Sequence, residues 1–155
     1  MALKLYIASI EEKNKIYNAL IEYSKELGQF QENPIREPAS EKYFDDYWTE
    51  SQRFPIVAYN DNELIGFCLL RSEEAYYSIA EFYIKPKFRR LGHGTKLLNF
   101  TLEFCKKRGL HTTICANSLE KNVRANEFWI FNGFVRLKEV VLENERFHCN
   151  LKELI

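Results

Sequence analysis

The sequence has no excess charge of either sign. Its 22 lysines and arginines balance 22 aspartates and glutamates, so the formal net charge of the 155 residues is zero at pH 7. A chain without an overall positive field is not drawn to nucleic acid or to an anionic membrane surface. We therefore expect neither nucleic acid nor membrane among its partners.

Long apolar runs are also absent. No window approaches the roughly 20 apolar residues of a membrane-spanning helix. The first ten residues alternate like a strand and lack the apolar segment and cleavage site of a signal peptide. These absences predict a cytoplasmic protein, and the length predicts one domain over residues 1–155.

Metal-binding spacings are missing too. The four cysteines, Cys68, Cys105, Cys115 and Cys149, are far apart and form no C-x-x-C pair. A structural zinc site needs cysteine and histidine ligands at closer spacing. We expect reduced thiols in apolar surroundings, and no metal.

The most informative segment that is present runs from residue 82 to residue 98 and reads FYIKPKFRRLGHGTKLL. It joins a strand, a proline that ends the strand, a basic glycine turn and the start of a helix with apolar periodicity. The first N–H groups of a helix lack intrahelical partners and carry partial positive charge, so they bind anions. Gly92 and Gly94 leave no Cβ between these amides and an anion, and Arg89 and Arg90 add charge. The segment predicts a pyrophosphate site.

Two common phosphate loops do not match this turn. A Walker loop requires lysine directly after its last glycine, but Thr95 follows Gly94. A dinucleotide-binding fingerprint requires a further glycine three residues after Gly94, and that position is Leu97. The turn therefore indicates a different pyrophosphate-bearing cofactor.

The pattern Arg89-x-x-Gly92-x-Gly94, after a strand that ends Ile84-Lys85-Pro86, resembles the acyl-CoA-binding motif of the GNAT superfamily of N-acetyltransferases. A second block of that superfamily is matched by Asn122, Ala125, Phe128, Trp129, Gly133 and Phe134. The resemblance covers about residues 53–150. The YYSIAEF run at 76–82 and YWTE at 47–50 also resemble a little-characterised bacterial branch of predicted acetyltransferases.

Periodicity and turn signals predict the element order β-α-α-β-β-β-α-β-α-β-β. The resemblance implies an α/β (α+β) GNAT fold, with a mixed sheet of about seven strands that splays after the fourth and about four flanking helices. A capping box at Ser9 and Glu12 starts the first helix, which Gly28 stops. The polar residues 29–40, with two prolines, are predicted to form a loop. Exposed strands at the end of the sheet are compatible with a homodimer.

The same resemblance implies an enzyme that moves an acetyl group directly from acetyl-CoA, its cosubstrate, to a primary amine. The acceptor would be a small cationic molecule or a lysine or N-terminal amine. A non-catalytic acyl-CoA sensor or interaction module is the alternative. The resemblance assigns cofactor contacts to Phe82, Tyr83, Ile84, Arg89, Arg90, Leu91, Gly92, His93, Gly94, Thr95, Asn122 and Trp129. Asn122 is also suited to cap a helix, and His93 to be a solvated loop residue.

Glu81 is the candidate general base. An amine with a pKa near 10.4 is only about 0.1% neutral at pH 7, so its proton must be removed before it attacks. Strict alternation along the strand places Glu81 on one face with Ile79 and Tyr83. A carboxylate in an apolar strand is costly unless it meets a cleft or a partner. Pairing with an arginine or lysine, or exposure to solvent, explains Glu81 equally well.

Trp129 departs from the superfamily pattern, in which many members have a tyrosine that protonates the leaving thiolate. An indole N–H cannot release its proton, so Tyr83 or water is the candidate acid. Because a thiol has a pKa near 8.5, its thiolate is not very basic, and loss of the acid weakens catalysis without preventing it. Core packing is the favoured explanation of Trp129 itself.

Acidic residues outnumber basic ones between residues 26 and 50, and aromatic residues are interleaved with them. Carboxylates and aromatic rings together suit a cation. We therefore assign substrate binding to Glu32, Tyr43 and Tyr47. A solvated acidic helix with an aromatic core stripe explains the same residues.

Overall fold

The computed structural model of the protein describes residues 3–32 and 41–155. Its strands are β1 Leu3–Ile7, β2 Arg53–Asn60, β3 Glu63–Ser72, β4 Tyr77–Ile84, β5 Thr113–Leu119, β6 Val135–Leu142 and β7 Glu145–Glu153. Its α-helices are α1 Lys13–Gly28, α2 Glu41–Thr49, α3 His93–Arg108 and α4 Val123–Phe131. This order confirms the predicted one. Residues 33–40 of the predicted loop lie outside the described residues.

The seven strands form one mixed sheet in the order β1-β2-β3-β4-β5-β7-β6. Neighbouring strands are antiparallel except β4 and β5, which are parallel. The sheet and its four α-helices confirm the predicted fold class.

The sheet splays between β4 and β5. These strands pair only where Tyr77–Ile79 meets Ile114–Ala116, although β4 continues to Ile84. Beyond Ile79, no strand in the described part of the chain pairs with the edge of β4 that faces β5. The predicted splay after the fourth strand is confirmed, and it leaves backbone hydrogen-bonding groups at an opening in the sheet.

A separate apolar core covers each face of the sheet. On one face, α3 and α4 contribute Leu97, Leu98 and Trp129 to a cluster with Ile56 and Ile65. On the other face, α1 and α2 contribute Ile16, Leu20, Phe44 and Tyr47 to a cluster with Val57, Phe67 and Leu69. Burial of each large apolar side chain stabilises the fold by about 1.5–3 kcal/mol. These two cores fix the helices that surround the opening.

Local signals place the helix ends. The Ser9 N–H donates to the Glu12 carboxylate at 2.8 Å, so the predicted capping box is present, and a short 3₁₀ turn at Ile10–Glu12 leads into α1. Gly92 precedes α3 with a φ of 83°, a left-handed conformation that favours glycine. No helix among residues 3–32 and 41–155 is long and apolar enough to cross a membrane.

Candidate active site

A cavity of about 900 Å³ lies in the opening between β4 and β5. Its wall includes most of the residues that sequence analysis assigned to cofactor and catalysis: Glu81, Phe82, Tyr83, Ile84, Arg89, Arg90, Gly92, Gly94, Thr95, Asn122 and Trp129. Leu91 and His93 are on the same turn but do not line the cavity. Apart from Leu91 and His93, the predicted cofactor and catalytic residues are thus brought together around a single cavity.

The turn before α3 presents helix amides to this cavity. The first α3 hydrogen bond runs from the Lys96 N–H to the Gly92 carbonyl, at 3.2 Å. The N–H groups of residues 93–95 therefore have no partner within the helix. The first turn of α3 holds no acidic residue, and Gly92 has no side chain that could cap it. This helix end can bind an anion.

Arg89 is held by the protein rather than directed toward an anion. Its Nε donates to the Ile84 carbonyl at 2.8 Å, and its Nη2 donates to Glu26 at 2.7 Å. Its guanidinium also lies 5.6 Å from the Tyr83 ring centroid. Arg90 is exposed, has a φ of 64°, and is the arginine of the pair without such contacts among the described residues. Of the two predicted phosphate arginines, Arg90 is the better placed to bind an anion.

A β-bulge changes the expected faces of β4. Leu69 pairs with Glu81 and Leu70 pairs with Ile79, so Ala80 is an extra residue in β4. Glu81 shares a face with Tyr83, as predicted, but Ile79 lies in the core on the opposite face. The prediction for Ile79 was wrong because a bulge inserts one residue and interrupts the alternation. The bulge lies beside the cavity.

Glu81 is half-buried at the cavity wall, close to tyrosines of α1 and α2. Burial, reinforced by the negative charge of Glu81, raises the pKa of Tyr23 and of Tyr43. A hydrogen bond from the Phe82 backbone opposes this effect at Tyr23. Arg71 also lines the cavity within electrostatic reach of Glu81. The carboxylate therefore faces the cavity within a cluster of tyrosine hydroxyls.

Tyr83 is almost fully buried, and its ring packs against Tyr23 and Phe67 at centroid distances of 5.3 and 5.9 Å. Burial raises the pKa of its hydroxyl, and the nearby charges of Glu26 and Glu22 raise it further, whereas Arg89 lowers it. The hydroxyl is therefore a protonated hydrogen-bond donor at neutral pH.

Asn122 and Trp129 each combine a structural contact with a place on the cavity wall. The Asn122 side-chain carbonyl oxygen accepts the Ala125 N–H at 3.2 Å, which caps α4. Trp129 is 5% exposed and packs edge-on against Phe82 and Phe134, at 5.3 and 5.1 Å. Asn122 can therefore cap a helix and still contact a cofactor, and Trp129 can pack in the core and still line the cavity.

A family model matches the part of the chain that contains most of the cavity residues. Residues 14–134 match the model described as the acetyltransferase (GNAT) family. The chain belongs to the GNAT acetyltransferase family. The predicted family is confirmed, and with it the prediction that the protein is an acyltransferase.

Solved structures of other proteins share the whole fold at low sequence identity. The ribosomal-protein-S18-alanine N-acetyltransferase of Escherichia coli is 14% identical with a TM-score of 0.75, over 99% of this chain and 94% of its own. Arabidopsis thaliana NAA60 in complex with acetyl-CoA is 10% identical with a TM-score of 0.79, over 99% of both chains. The protein smu.2055 of Streptococcus mutans is 17% identical with a TM-score of 0.81, over 98% of this chain and 99% of its own. No curated protein sequence is significantly similar to the chain.

The three residues predicted to bind the acceptor do not line the cavity of this GNAT protein. Tyr47 is buried in the core beneath it, and the Tyr43 hydroxyl lies 3.4 Å from that of Tyr47. Glu32 is exposed, and its N–H donates to Glu145 at 3.0 Å. The acids of α2 are partly neutralised as well, since Asp45 forms an ion pair with Lys13. In this helix Phe44 and Tyr47 are in the core and Asp45 lies beside Lys13, an arrangement compatible with the alternative explanation, and the assignment of acceptor binding stays a prediction.

Other residues reach the cavity that the sequence did not indicate. They come from α1 and the residues just after it, from the first turn of α4, and from the β6–β7 turn and the start of β7: Tyr23, Glu26, Gln31, Arg124, Glu143 and Glu145. The spacing of Tyr23 from Leu20 and Leu27 was the one available signal, because it continues the apolar stripe of α1. The others converge only through tertiary packing.

The described cysteines and metal-type ligands lie elsewhere. All four cysteines are free, and Cys115 and Cys149 approach each other with sulfur atoms 3.7 Å apart. Glu120, Glu139 and His148 have ligand atoms within 4.8 Å of one another. Arg136 Nη1 lies 3.4 Å from His148 Nε2, so the positive charge of a guanidinium group already lies beside these three residues.

Proposed function

We propose that the protein transfers an acetyl group from acetyl-CoA directly to an amine, with Glu81 as general base. One observation carries the proposal. A single cavity joins the uncapped start of α3, the unpaired edge of β4 and the carboxylate of Glu81. These are the parts needed to hold a phosphate, an extended arm and a reacting amine.

The described residues fit acetyl-CoA. The amides at the start of α3, with Arg90, suit a pyrophosphate. The edge of β4 around Phe82, Tyr83 and Ile84, which has side-chain partners in Tyr23 and Arg89 but no paired strand among the described residues, suits the amides of a pantetheine arm, which would pair with it as an added strand does. Gly94 leaves space that a side chain would take, since a Cβ there would lie 3.1 Å from Phe128 Cε1. The structural neighbour NAA60, in complex with acetyl-CoA, supports the same cosubstrate.

Acetyl-CoA supplies an acetyl group that is activated as a thioester. Glu81 accepts a proton from the acceptor ammonium, directly or through water, and so generates the neutral amine that attacks the carbonyl carbon. Backbone N–H groups of β4 hold the thioester carbonyl. As the carbon–sulfur bond breaks, the Tyr83 hydroxyl donates a proton to the departing thiolate. The attacking nitrogen loses its second proton, through water, and this proton restores the Tyr83 hydroxyl. The products are the N-acetylated amine and CoA.

Carboxylates favour an amine as the acceptor. Glu81, Glu143 and Glu145 line the cavity, in addition to Glu26, which pairs with Arg89 and Arg124. An ammonium group that enters the cavity is attracted to these carboxylates before it loses its proton. The acceptor is a small cationic molecule or a lysine or N-terminal amine. The alanine N-acetyltransferase among the structural neighbours supports including N-termini among the substrates to be tested.

The experiment has a binding arm and a turnover arm. Calorimetry with acetyl-CoA and with ATP asks which ligand the cavity prefers, and we expect acetyl-CoA to bind much more tightly. Thiol release from acetyl-CoA is then followed across polyamines, amino acids, lysine peptides and N-terminal peptides. Comparable affinity for ATP would point to a nucleotide-binding regulator. Tight acetyl-CoA binding without turnover of any amine would point to a sensor.

A further inference from the structure

The cavity contains an ion-pair network that joins three elements. Glu26 Oε2, on α1, lies 2.7 Å from Arg89 Nη2 and 3.6 Å from Arg124 Nη2. Arg89 comes from the turn before α3, and Arg124 comes from the first turn of α4. All three residues line the cavity. One carboxylate therefore faces two guanidinium groups across the site.

The two arginines are held very differently. The side chain of Arg89 is 19% exposed, and it has a second hydrogen bond, to the Ile84 carbonyl. The side chain of Arg124 is 56% exposed, and its ion pair with Glu26 is longer than a hydrogen bond. In the described part of the chain, this is the one ion pair of Arg124. Arg89 is a fixed support of the turn, whereas Arg124 is able to change partner.

The position of Arg124 is unfavourable unless an anion is near. A helix N-terminus carries partial positive charge, and Arg124 is the second residue of α4. The first turn of α4 contains no acidic residue that could offset it. Glu26 supplies one negative charge against Arg89, Arg124 and this helix end together. The local excess of positive charge suits a phosphate group.

We propose that Arg124 is a cofactor-binding residue that exchanges Glu26 for a phosphate group of CoA when the cofactor binds. This inference rests on the proposed use of acetyl-CoA. CoA carries a pyrophosphate and a separate 3′-phosphate. The start of α3 and Arg90 bind one of these groups, and Arg124, on α4, binds the other. Glu26 remains paired with Arg89 and so continues to fix the turn.

Arg124→Gln tests the exchange by calorimetry, with the exposed Arg146→Gln, outside the cavity, as control. We expect Arg124→Gln to weaken CoA binding about fivefold, as for a half-exposed ionic contact, and Arg146→Gln to change nothing. Titration of 3′-dephospho-CoA identifies the partner. If the loss disappears there, Arg124 binds the 3′-phosphate, and if it persists, Arg124 binds the pyrophosphate.

S-acetylpantetheine, which has no phosphate, distinguishes binding from a structural role. The Arg124→Gln variant should use it as well as the original protein does. If Arg124→Gln lowers activity equally with acetyl-CoA and with S-acetylpantetheine, or leaves CoA affinity unchanged, the inference is overturned while the proposed function stands. If the original protein does not bind CoA, both fail.

Glu26→Gln completes a double-mutant cycle. In the exchange, Glu26 competes with phosphate for Arg124. The penalty of Arg124→Gln on CoA binding should therefore be at least as large in the Glu26→Gln background as alone. If that penalty vanishes without Glu26, Arg124 acts only through Glu26, and the exchange is excluded.

Discussion

At the scale of single residues, the proposed chemistry depends on two side chains of β4. Glu81 and Tyr83 share a face of the strand, and both line the cavity. Their surroundings differ, because Glu81 is half-buried whereas Tyr83 is 4% exposed. A half-exposed carboxylate can exchange protons with solvent, and a buried hydroxyl with a raised pKa is still protonated when the reaction begins. This difference suits a base and an acid in one site.

Tyr83→Phe tests the acid. Because the pKa of Tyr83 is raised, its hydroxyl loses its proton only at a pH above the value near 10 that is usual for tyrosine. We therefore expect no decrease in rate from deprotonation of Tyr83 between about pH 7 and 9. We expect Tyr83→Phe to lower kcat about tenfold or more, with acetyl-CoA affinity unchanged. Tyr76→Phe, at an exposed tyrosine outside the cavity, is the matched control, and an unchanged kcat in Tyr83→Phe would argue against the acid role.

Glu143→Gln tests attraction of the acceptor amine. Glu143 lies in the β6–β7 turn at the cavity, and one charge at an exposed position is worth about 1 kcal/mol or less. We expect a severalfold higher KM for the amine, with kcat and the KM for acetyl-CoA unchanged. Glu74→Gln, an exposed glutamate away from the cavity, is the control. Steady-state kinetics at several salt concentrations should show a weaker salt dependence for Glu143→Gln.

At the scale of elements, the site is built from a helix end and a strand edge. The glycine turn, its proline and the apolar stripe of α3 were visible in the sequence because each has a local signature. The bulge at Ala80 was not, since Tyr77 to Ile84 alternates well enough to suggest a regular strand. The misplaced face of Ile79 followed from this. Local patterns specify where an element begins and ends, but a bulge depends on the strand it pairs with.

The two glycines of the turn should differ in what their loss does. Gly92 has a φ of 83°, and, its chain neighbours aside, no atom of the described residues lies within 4 Å of the position that a Cβ would take there. Gly92→Ala should therefore cost about 1–2 kcal/mol of stability through backbone strain alone.

Gly94→Ala puts a Cβ against Phe128 and between the amides and a phosphate. We expect it to weaken acetyl-CoA binding about tenfold, the loss of roughly one charge-assisted hydrogen bond, with little change in stability. Denaturant unfolding and calorimetry on both variants check the contrast. If Gly94→Ala bound acetyl-CoA normally, the phosphate would not lie at this helix end.

At the scale of the whole molecule, function depends on how the two halves of the sheet separate. The three paired residues of β4 with β5 hold the halves together at one end, and the cavity fills the space at the other. The resemblance to a family supplied this topology in advance. It did not predict which residues line the acceptor side of the cavity. Tyr23, Glu26 and Glu145 meet there, although Glu145 is more than a hundred residues from the other two in the sequence. Composition favoured Glu32 instead, which does not line the cavity and contacts it only indirectly, through the bond from its N–H to Glu145.

The central claim is that this cavity catalyses acetyl transfer with Glu81 as the base. The most direct measurement is the rate of thiol release from saturating acetyl-CoA with the best amine of the panel, for the original protein and for Glu81→Gln. We expect Glu81→Gln to bind acetyl-CoA normally and to lose about 100-fold or more in kcat at neutral pH, with partial recovery as rising pH deprotonates the amine. An unchanged kcat in a variant that still binds acetyl-CoA would contradict the claim.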